Sequence, residues 1–125
     1  MHADPNHVAY VRGDKKFKEG RFAEAAKYFR VALEEWPEDW QAMDALGNSY
    51  SEMKKPRKAE QWFRKAIEVA PSERQPDLLY NLGNALFDQA RFDEAIALYS
   101  QVPHGHKTWR LAEKNIALSK KRLAE

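Results

Sequence analysis

The tripeptide Leu46-Gly47-Asn48 occurs a second time in this 125-residue chain, as Leu82-Gly83-Asn84. Helix-favouring residues surround both copies, although a glycine inside a helix costs about 1 kcal/mol relative to alanine. A third glycine, Gly13, lies 34 residues before the glycine of the first copy, and 36 residues separate the glycines of the two copies. This spacing predicts an internal repeat in which the glycine has a structural purpose.

Other positions recur at the same two intervals, which supports the repeat independently of the glycines. One column holds alanines, a second holds aromatic residues, a third holds small or apolar residues and a fourth holds prolines. In that order, the columns are Ala25, Ala59 and Ala95; Phe29, Phe63 and Tyr99; Ala32, Ala66 and Val102; and Pro37 and Pro71. The two additional residues of the second interval fall within 72–76.

Each unit is predicted to form two helices joined by a short turn. Pro37 and Pro71 follow second helices because proline cannot continue the backbone hydrogen-bond ladder. Ser72 and Gln75 have the spacing of a capping box, which predicts that the first helix of the third unit begins before Pro76. The first helices are expected at 7–19, 40–53 and 76–90, the second helices at 23–35, 57–70 and 92–102, and a last helix at 108–123.

These columns resemble the tetratricopeptide repeat, in which Leu-Gly, Tyr, Ala, Phe, Ala and Pro stand at fixed positions of each unit. The residues of the second unit that match are Met43, Leu46, Gly47, Tyr50, Ala59, Phe63, Ala66 and Pro71. The resemblance implies an all-α fold, a right-handed α-solenoid of antiparallel helix pairs with about seven helices. It also implies a single domain over 1–125, with repeats at about 6–39, 40–73 and 76–105 and a capping helix at 108–123.

The repeated glycines are interpreted as packing positions, where a missing side chain lets the second helix of the unit approach closely. Ala25, Ala59 and Ala95 are expected to face the glycines. One unit cannot bury its apolar face alone, so the units are expected to stack, with the last helix covering the end of the array.

The composition is typical of a globular protein. Its residues are 43% apolar and 32% charged, which argues against disorder. No apolar run approaches the roughly 18 residues of a membrane span, and the absence of cysteine excludes disulfides, thiolate zinc sites and cysteine nucleophiles. The net charge of +2 does not argue for a nucleic-acid partner. The N-terminus lacks a signal-peptide pattern, so a cytoplasmic location is expected, with export after signal removal left open.

The resemblance implies a binding groove, because in this family the first helices of successive units line a concave surface that takes a peptide. Helical spacing supports the assignment, since residues three and four apart share a face. Asn48 and Asn84 each offer an acceptor and two donors, and they are expected to pair with a peptide backbone. The predicted groove residues are His7, Tyr10, Asp14, Phe17, Gln41, Asp44, Asn48, Ser51, Asp77, Tyr80, Asn81, Asn84, Phe87 and Asp88.

Acidic residues outnumber cations in the predicted groove, so the expected partner is a basic or neutral peptide segment, or a helix, of another protein. One groove type in the family grips a C-terminal carboxylate with Lys, Asn and Arg side chains. The corresponding positions here hold Tyr10, Asp14, Ala45, Asp77 and Asn81, so the cations are absent. Binding of a chaperone's acidic C-terminal tail is therefore not expected.

Other functions have less support. The chain has no phosphate-binding glycine loop and no metal-ligand spacing, so no enzymatic activity, cofactor or metal is predicted. A turn explains the loop His104-Gly105-His106. Two alternatives stay open, namely a scaffold that self-associates end to end and a fragment of a longer repeat array. Neither a nucleic-acid partner nor membrane insertion is predicted.

Overall fold

A computed structural model describes residues 7–125, which form seven α-helices and contain no β-strand. The prediction of an all-α solenoid with about seven helices is confirmed. The helices are α1 (Val8–Lys18), α2 (Phe22–Glu35), α3 (Trp40–Glu52), α4 (Pro56–Val69), α5 (Gln75–Phe87), α6 (Phe92–Tyr99) and α7 (Trp109–Ala124), and a 3₁₀ turn at Ser72–Arg74 precedes α5.

Each helix packs mainly against the helices before and after it in the chain, as expected for a solenoid. The first helices of the repeats, α1, α3 and α5, also touch one another in that order, so they lie side by side. The last helix, α7, packs against α6 with Ala112 and Ser119 buried, which covers the end of the core.

The repeated glycines let an aromatic ring of the second helix reach the backbone of the first helix. The pairs are Gly13 with Phe29, Gly47 with Phe63 and Gly83 with Tyr99. A Cβ atom added to Gly47 would lie only 2.6 Å from a ring carbon of Phe63, and one added to Gly83 would lie 2.7 Å from Tyr99. The nearest neighbours of the glycines are therefore rings, which corrects the expectation that Ala25, Ala59 and Ala95 take that place.

The capping box predicted at the start of the third unit is wrong in its hydrogen bonds. Ser72 makes no side-chain capping bond. The side chain of Gln75 instead turns back to α4, where its Nε2 donates to the carbonyl oxygens of Ile67 at 2.7 Å and Ala70 at 3.1 Å. Gln75 thus satisfies carbonyls left free at a helix end, and α5 begins at this residue.

The second helix of the third repeat is shorter than predicted. It ends at Tyr99 rather than at 102, because the chain tightens into a turn in which the Val102 N–H donates to the Tyr99 carbonyl at 3.1 Å. Val102 nevertheless stays buried, so the turn keeps its apolar side chain in the core.

The turns between paired helices share a left-handed backbone residue. Gly20 has a φ of 78°, Lys54 of 61° and Ala90 of 60°. Left-handed backbone costs a residue with a side chain roughly 1–2 kcal/mol, whereas glycine adopts it freely. The three repeats therefore keep one turn geometry, and only the first has the residue best suited to it.

Candidate functional site

The aligned first helices border two pockets. The N-terminal pocket has a volume of about 240 Å³ and is lined by Tyr10, Asp14, Phe17, Phe29, Trp40, Gln41, Asp44, Ala45 and Asn48. The C-terminal pocket has a volume of about 370 Å³ and is lined by Asn48, Ser51, Glu52, Lys54, Phe63, Asn81, Asn84, Phe87, Asp88, Tyr99 and Asn115. Asn48 borders both pockets, so they adjoin at the middle of the array.

Most of the predicted groove residues lie in one of these pockets. In the N-terminal pocket these are Tyr10, Asp14, Phe17, Gln41, Asp44 and Asn48. The C-terminal pocket has Asn48, Ser51, Asn81, Asn84, Phe87 and Asp88. His7, Asp77 and Tyr80 line neither pocket, although His7 stacks on Tyr10 with ring centroids 5.4 Å apart.

One column of the repeat changes chemistry in the second unit. Tyr10 packs against Phe29 with ring centroids 5.5 Å apart, and Tyr80 packs against Tyr99 at 5.8 Å. The second unit has Asp44 at the corresponding position, so a carboxylate occupies a place that its neighbours fill with an aromatic ring.

The environment of Asp44 disfavours its charge. Burial, assisted by the nearby Asp77 carboxylate, raises the pKa of Asp44 to about 6. A hydrogen bond from Asn81 Nδ2, 3.0 Å from Asp44 Oδ1, acts in the opposite direction without cancelling the shift. An ionised carboxylate held in such a place is stabilised by any cation that approaches it.

The polar residues directly after the repeated glycines, Asp14, Asn48 and Asn84, differ in their hydrogen-bond partners. Asp14 pairs with Lys18 at 2.9 Å on the surface of α1. Asn84 Oδ1 accepts hydrogen bonds from the Tyr99 hydroxyl at 2.5 Å and from Asn115 Nδ2 at 3.3 Å. The side chain of Asn48 makes no hydrogen bond to any residue in 7–125 and is half-buried.

Two predicted aromatic residues also stabilise turns. Phe17 packs edge-on against Phe22 with centroids 5.0 Å apart, and Phe87 packs in the same way against Phe92 at 5.1 Å. Both rings therefore join a first helix to the start of the next helix while one part of each faces a pocket. The second unit has Ser51 at this position.

Asp77 lies at the start of α5 and faces the loop before α7. Its carboxylate is 3.9 Å from Lys107 Nζ and 3.7 Å from His106 Nε2. The Lys107 ammonium reduces the negative charge that Asp77 presents, so the groove is less acidic at this end than the sequence predicts.

The electrostatic field at the N-terminal pocket is negative. Burial raises the pKa of Tyr10, and the carboxylates of Asp14, Asp39 and Asp44 raise it further. No lysine, arginine or histidine is among the residues that line this pocket. The C-terminal pocket differs, since Lys54 lines it together with Glu52 and Asp88.

The pocket residues that were not among the predicted groove residues include Trp40, Lys54 and Asn115. Trp40 begins α3 and Lys54 lies in the turn after it. The prediction for this unit used only positions between Gln41 and Ser51, so it missed both residues. Asn115 comes from α7. The sequence held an indication of its role, because Asn115 shares a helix face with Ala112 and Ser119. A helix that only covers the core needs no amide on that face.

No helix within 7–125 combines the length and apolarity that crossing a membrane requires. In the same part of the chain, no three His, Cys, Asp or Glu side chains are placed to hold a metal ion. His104 stacks on Trp109 with centroids 4.1 Å apart, and His106 Nδ1 lies 2.9 Å from the Thr108 hydroxyl.

Comparison with known proteins identifies the repeat. A family model described as tetratricopeptide repeat matches residues 10–73 and again 44–106. No curated protein matches the chain in sequence.

Solved structures resemble the chain over nearly its whole length. The first tetratricopeptide domain of Spaghetti (RPAP3), bound to the HSP90 peptide SRMEEVD, has a TM-score of 0.84 at 21% identity, with 96% of each chain covered. The TPR2B domain of yeast Sti1, in a complex with pHsp70, has a TM-score of 0.85 at 13% identity, covering 94% of this chain and 97% of that one. The Sgt2 domain from Aspergillus fumigatus has a TM-score of 0.83 at 18% identity, covering 98% and 82%.

Proposed function

Because the chain belongs to the tetratricopeptide repeat family, we propose that it is a protein-interaction module that binds a peptide segment of another protein along α1, α3 and α5. It acts as an adaptor or scaffold, and not as an enzyme. The known structures of this fold with bound chaperone peptides support a peptide as the kind of ligand.

The observation that carries the proposal is the free amide of Asn48. It is half-buried, it borders both pockets, and it has no hydrogen-bond partner within the described residues. Neither polar atom of this amide is among the fully buried side-chain atoms without a partner in the described part of the chain, so the amide is open to an incoming ligand. The N–H and C=O of an extended peptide satisfy such an amide together, because Asn offers an acceptor and two donors.

The charge of the pockets favours a basic or neutral peptide. The peptides in the related complexes, SRMEEVD and SGPTIEEVD, end in acidic residues. At the positions that the family uses for a terminal carboxylate, this chain has Tyr10, Asp14, Ala45, Asp77 and Asn81. The carboxylates among them repel an acidic tail, so the groove selects against it.

Selection from a random peptide library displayed on phage tests the proposal. Recovered peptides are synthesised and measured by calorimetry against the wild type, Asn48→Ala and the matched control Gln61→Ala, which removes an exposed amide on the second helix α4. Asn48→Ala is expected to weaken binding about tenfold, equivalent to about 1.4 kcal/mol, and Gln61→Ala to leave it unchanged. Recovery of no peptide, or equal affinity for all three proteins, would contradict the proposal.

A second candidate, end-to-end self-association, is favoured by exposed apolar residues at the two ends. Val8 and Val11 on α1 are 49% and 53% exposed, and Leu111 on α7 is 50% exposed. Light scattering over a range of concentrations separates the candidates. A mass that rises with concentration and returns to the monomer in Val11→Asp supports self-association, whereas a constant monomer mass excludes it.

A further inference from the structure

The N-terminal pocket has aromatic walls from three different helices. Tyr10 and Phe17 come from α1, Trp40 from α3, and Phe29 of α2 closes the side next to Tyr10. Aromatic faces carry negative electrostatic potential and attract cations that lie over them, guanidinium groups in particular. The walls therefore suit an occupant that is both flat and positively charged.

Two carboxylates complete the pocket from opposite helices, Asp14 on α1 and Asp44 on α3. The Lys18 side chain that pairs with Asp14 is 74% exposed, so this ion pair contributes less than about 1 kcal/mol. A cation of the ligand can therefore replace Lys18 at little cost. Asp44 Oδ1 accepts a hydrogen bond from Asn81 Nδ2, whereas Asp44 Oδ2 accepts no hydrogen bond from the residues at 7–125.

The pocket thus holds a partly buried carboxylate without a cation. A charge in such a place is costly until an opposite charge with hydrogen-bond donors neutralises it. The raised pKa of Asp44 has the same origin, since burial is its largest cause. Asn48 stands at the rim of the same pocket, where it would hold the peptide backbone from which a side chain enters.

We propose that the N-terminal pocket is a socket for one cationic side chain of the bound peptide, with arginine preferred over lysine. This inference rests on the proposed function, because the peptide backbone lies along Asn48. The arginine guanidinium stacks on Tyr10 or Trp40 and donates to Asp44 Oδ2 and to Asp14. Lysine supplies the charge but neither the planar stacking nor the paired donors.

Capped single residues test the socket without a known partner. Nα-acetyl-arginine methylamide, the lysine analogue and the uncharged citrulline analogue are titrated into the isotope-labelled protein, and the Trp40 indole and Asn48 amide resonances are followed by NMR. We expect millimolar binding of the arginine compound, about 4 kcal/mol, weaker binding of the lysine compound, and no binding of the citrulline compound. Equal shifts with arginine and citrulline would overturn the socket.

Two variants separate the pocket from general acidity. Asp44→Asn is expected to weaken arginine binding about tenfold, whereas Glu52→Gln, which removes a carboxylate of the C-terminal pocket, leaves it unchanged. Thermal unfolding checks the fold of Asp44→Asn, which is expected to be at least as stable as the wild type. Equal loss of binding in both variants would show that the whole groove, and not the pocket, attracts the cation.

The phage-selected peptides distinguish failure of the socket from failure of the groove. Peptides that depend on Asn48 but bind equally with arginine or citrulline contradict the socket and leave the proposed function intact. Failure to recover any Asn48-dependent peptide contradicts both. A double-mutant cycle completes the test. The socket is supported if replacement of arginine by citrulline weakens binding to the wild type about tenfold, and the same replacement weakens binding to Asp44→Asn less than about twofold.

Discussion

The second and third repeats contain the same tripeptide, yet its asparagine has a different role in each. The third repeat places the Tyr99 hydroxyl 2.5 Å from Asn84, and Asn115 of α7 adds a second hydrogen bond. The second repeat has Phe63 where the third has Tyr99, so no hydroxyl reaches Asn48. One oxygen atom on the facing ring therefore separates an asparagine that holds the fold together from one that is available to a ligand.

The comparison also shows where the array concentrates its polarity. The first and third repeats turn tyrosine and phenylalanine rings toward their second helices, and these rings pack against other rings. The central repeat has Asp44 and Ser51 at the positions that hold these rings in its neighbours. The groove is thus polar at its centre and aromatic on both sides, an arrangement that suits a peptide held by its backbone in the middle.

The largest expected effect tests what the two repeats have in common. Gly47→Ala and Gly83→Ala each place a Cβ atom within 2.6–2.7 Å of a ring that fills the core. Overpacking costs typically 1–3 kcal/mol, so we expect each variant to lose about 3 kcal/mol before the helix-propensity gain of about 1 kcal/mol. Urea unfolding measures both.

Gly105→Ala is the control, because a Cβ atom there meets no atom within 4 Å. Its free energy of unfolding is expected to equal that of the wild type within about 0.5 kcal/mol. If Gly47→Ala and Gly83→Ala differed strongly from each other, the packing column would not be equivalent in the two repeats.

The next effect concerns Asp44, which replaces the tyrosine of the neighbouring repeats. Its pKa in the folded protein is about 6, above the ordinary value of 3.8, so the folded state binds this proton more tightly than the unfolded chain. Protonation therefore stabilises the fold. This contribution is complete below about pH 4 and is lost as the pH rises through about 6.

Asp44→Asn is accordingly expected to raise the stability at pH 7, by at most about 3 kcal/mol for a shift of about two pKa units. The amide oxygen of the replacement still accepts from Asn81. Thermal unfolding between pH 4 and pH 7 compares the variant with the wild type, and the difference should disappear at the acid end. A variant less stable than the wild type at pH 7 would show that the charge of Asp44 is favourable in the free protein.

The third effect separates the two asparagines directly. Asn84→Ala leaves the hydroxyl of Tyr99 without its acceptor in a fully buried side chain, so a loss of about 1–2 kcal/mol is expected. Asn48→Ala removes no hydrogen bond within the described residues, and a change below about 0.5 kcal/mol is expected. Equal losses in urea unfolding would mean that Asn48 also stabilises the fold.

The sequence predicted the repeat but not the different roles of Asn48 and Asn84 within it. Glycine, alanine and aromatic residues recur at fixed intervals because every unit must pack in the same way, so the period and the helix pairs are visible in one chain. The partners of Asn84 are not visible, since they come from Tyr99 on the paired helix and Asn115 on the capping helix. The prediction that both asparagines bind peptide rested on the positions that the family uses for ligand contacts and on the chemistry of the amide, and the structure gives Asn84 partners of its own.

The burial of Asp44 was equally hidden. It depends on the helices of the adjacent repeats and on Asn81, 37 residues away in the chain. The sequence showed an acidic residue on the helix face that borders the N-terminal pocket, and the prediction of a basic or neutral peptide was based on such residues. It did not show that this carboxylate shares a small pocket with aromatic walls, because a pocket is formed by side chains from three helices together.

The addition of a single oxygen atom is the most specific test of the comparison. Phe63→Tyr adds the missing hydroxyl to the second repeat, where the ring contacts Gly47 as Tyr99 contacts Gly83. The new hydroxyl is expected to donate to Asn48 Oδ1, as Tyr99 does to Asn84, so stability should stay within about 1 kcal/mol of the wild type. Asn48 then has an internal partner, and peptides selected on the wild type should bind about tenfold more weakly.

Tyr99→Phe is the reciprocal change and controls for altered packing of the ring. It removes the hydroxyl from Asn84, costs about 1 kcal/mol of stability, and leaves peptide binding at Asn48 intact. Calorimetry with one selected peptide on both variants decides the matter. Weaker binding in Phe63→Tyr alone shows that the hydroxyl on the facing ring determines which asparagine takes a ligand, whereas equal affinities in the two variants and the wild type would mean that the Asn48 amide does not hold the peptide.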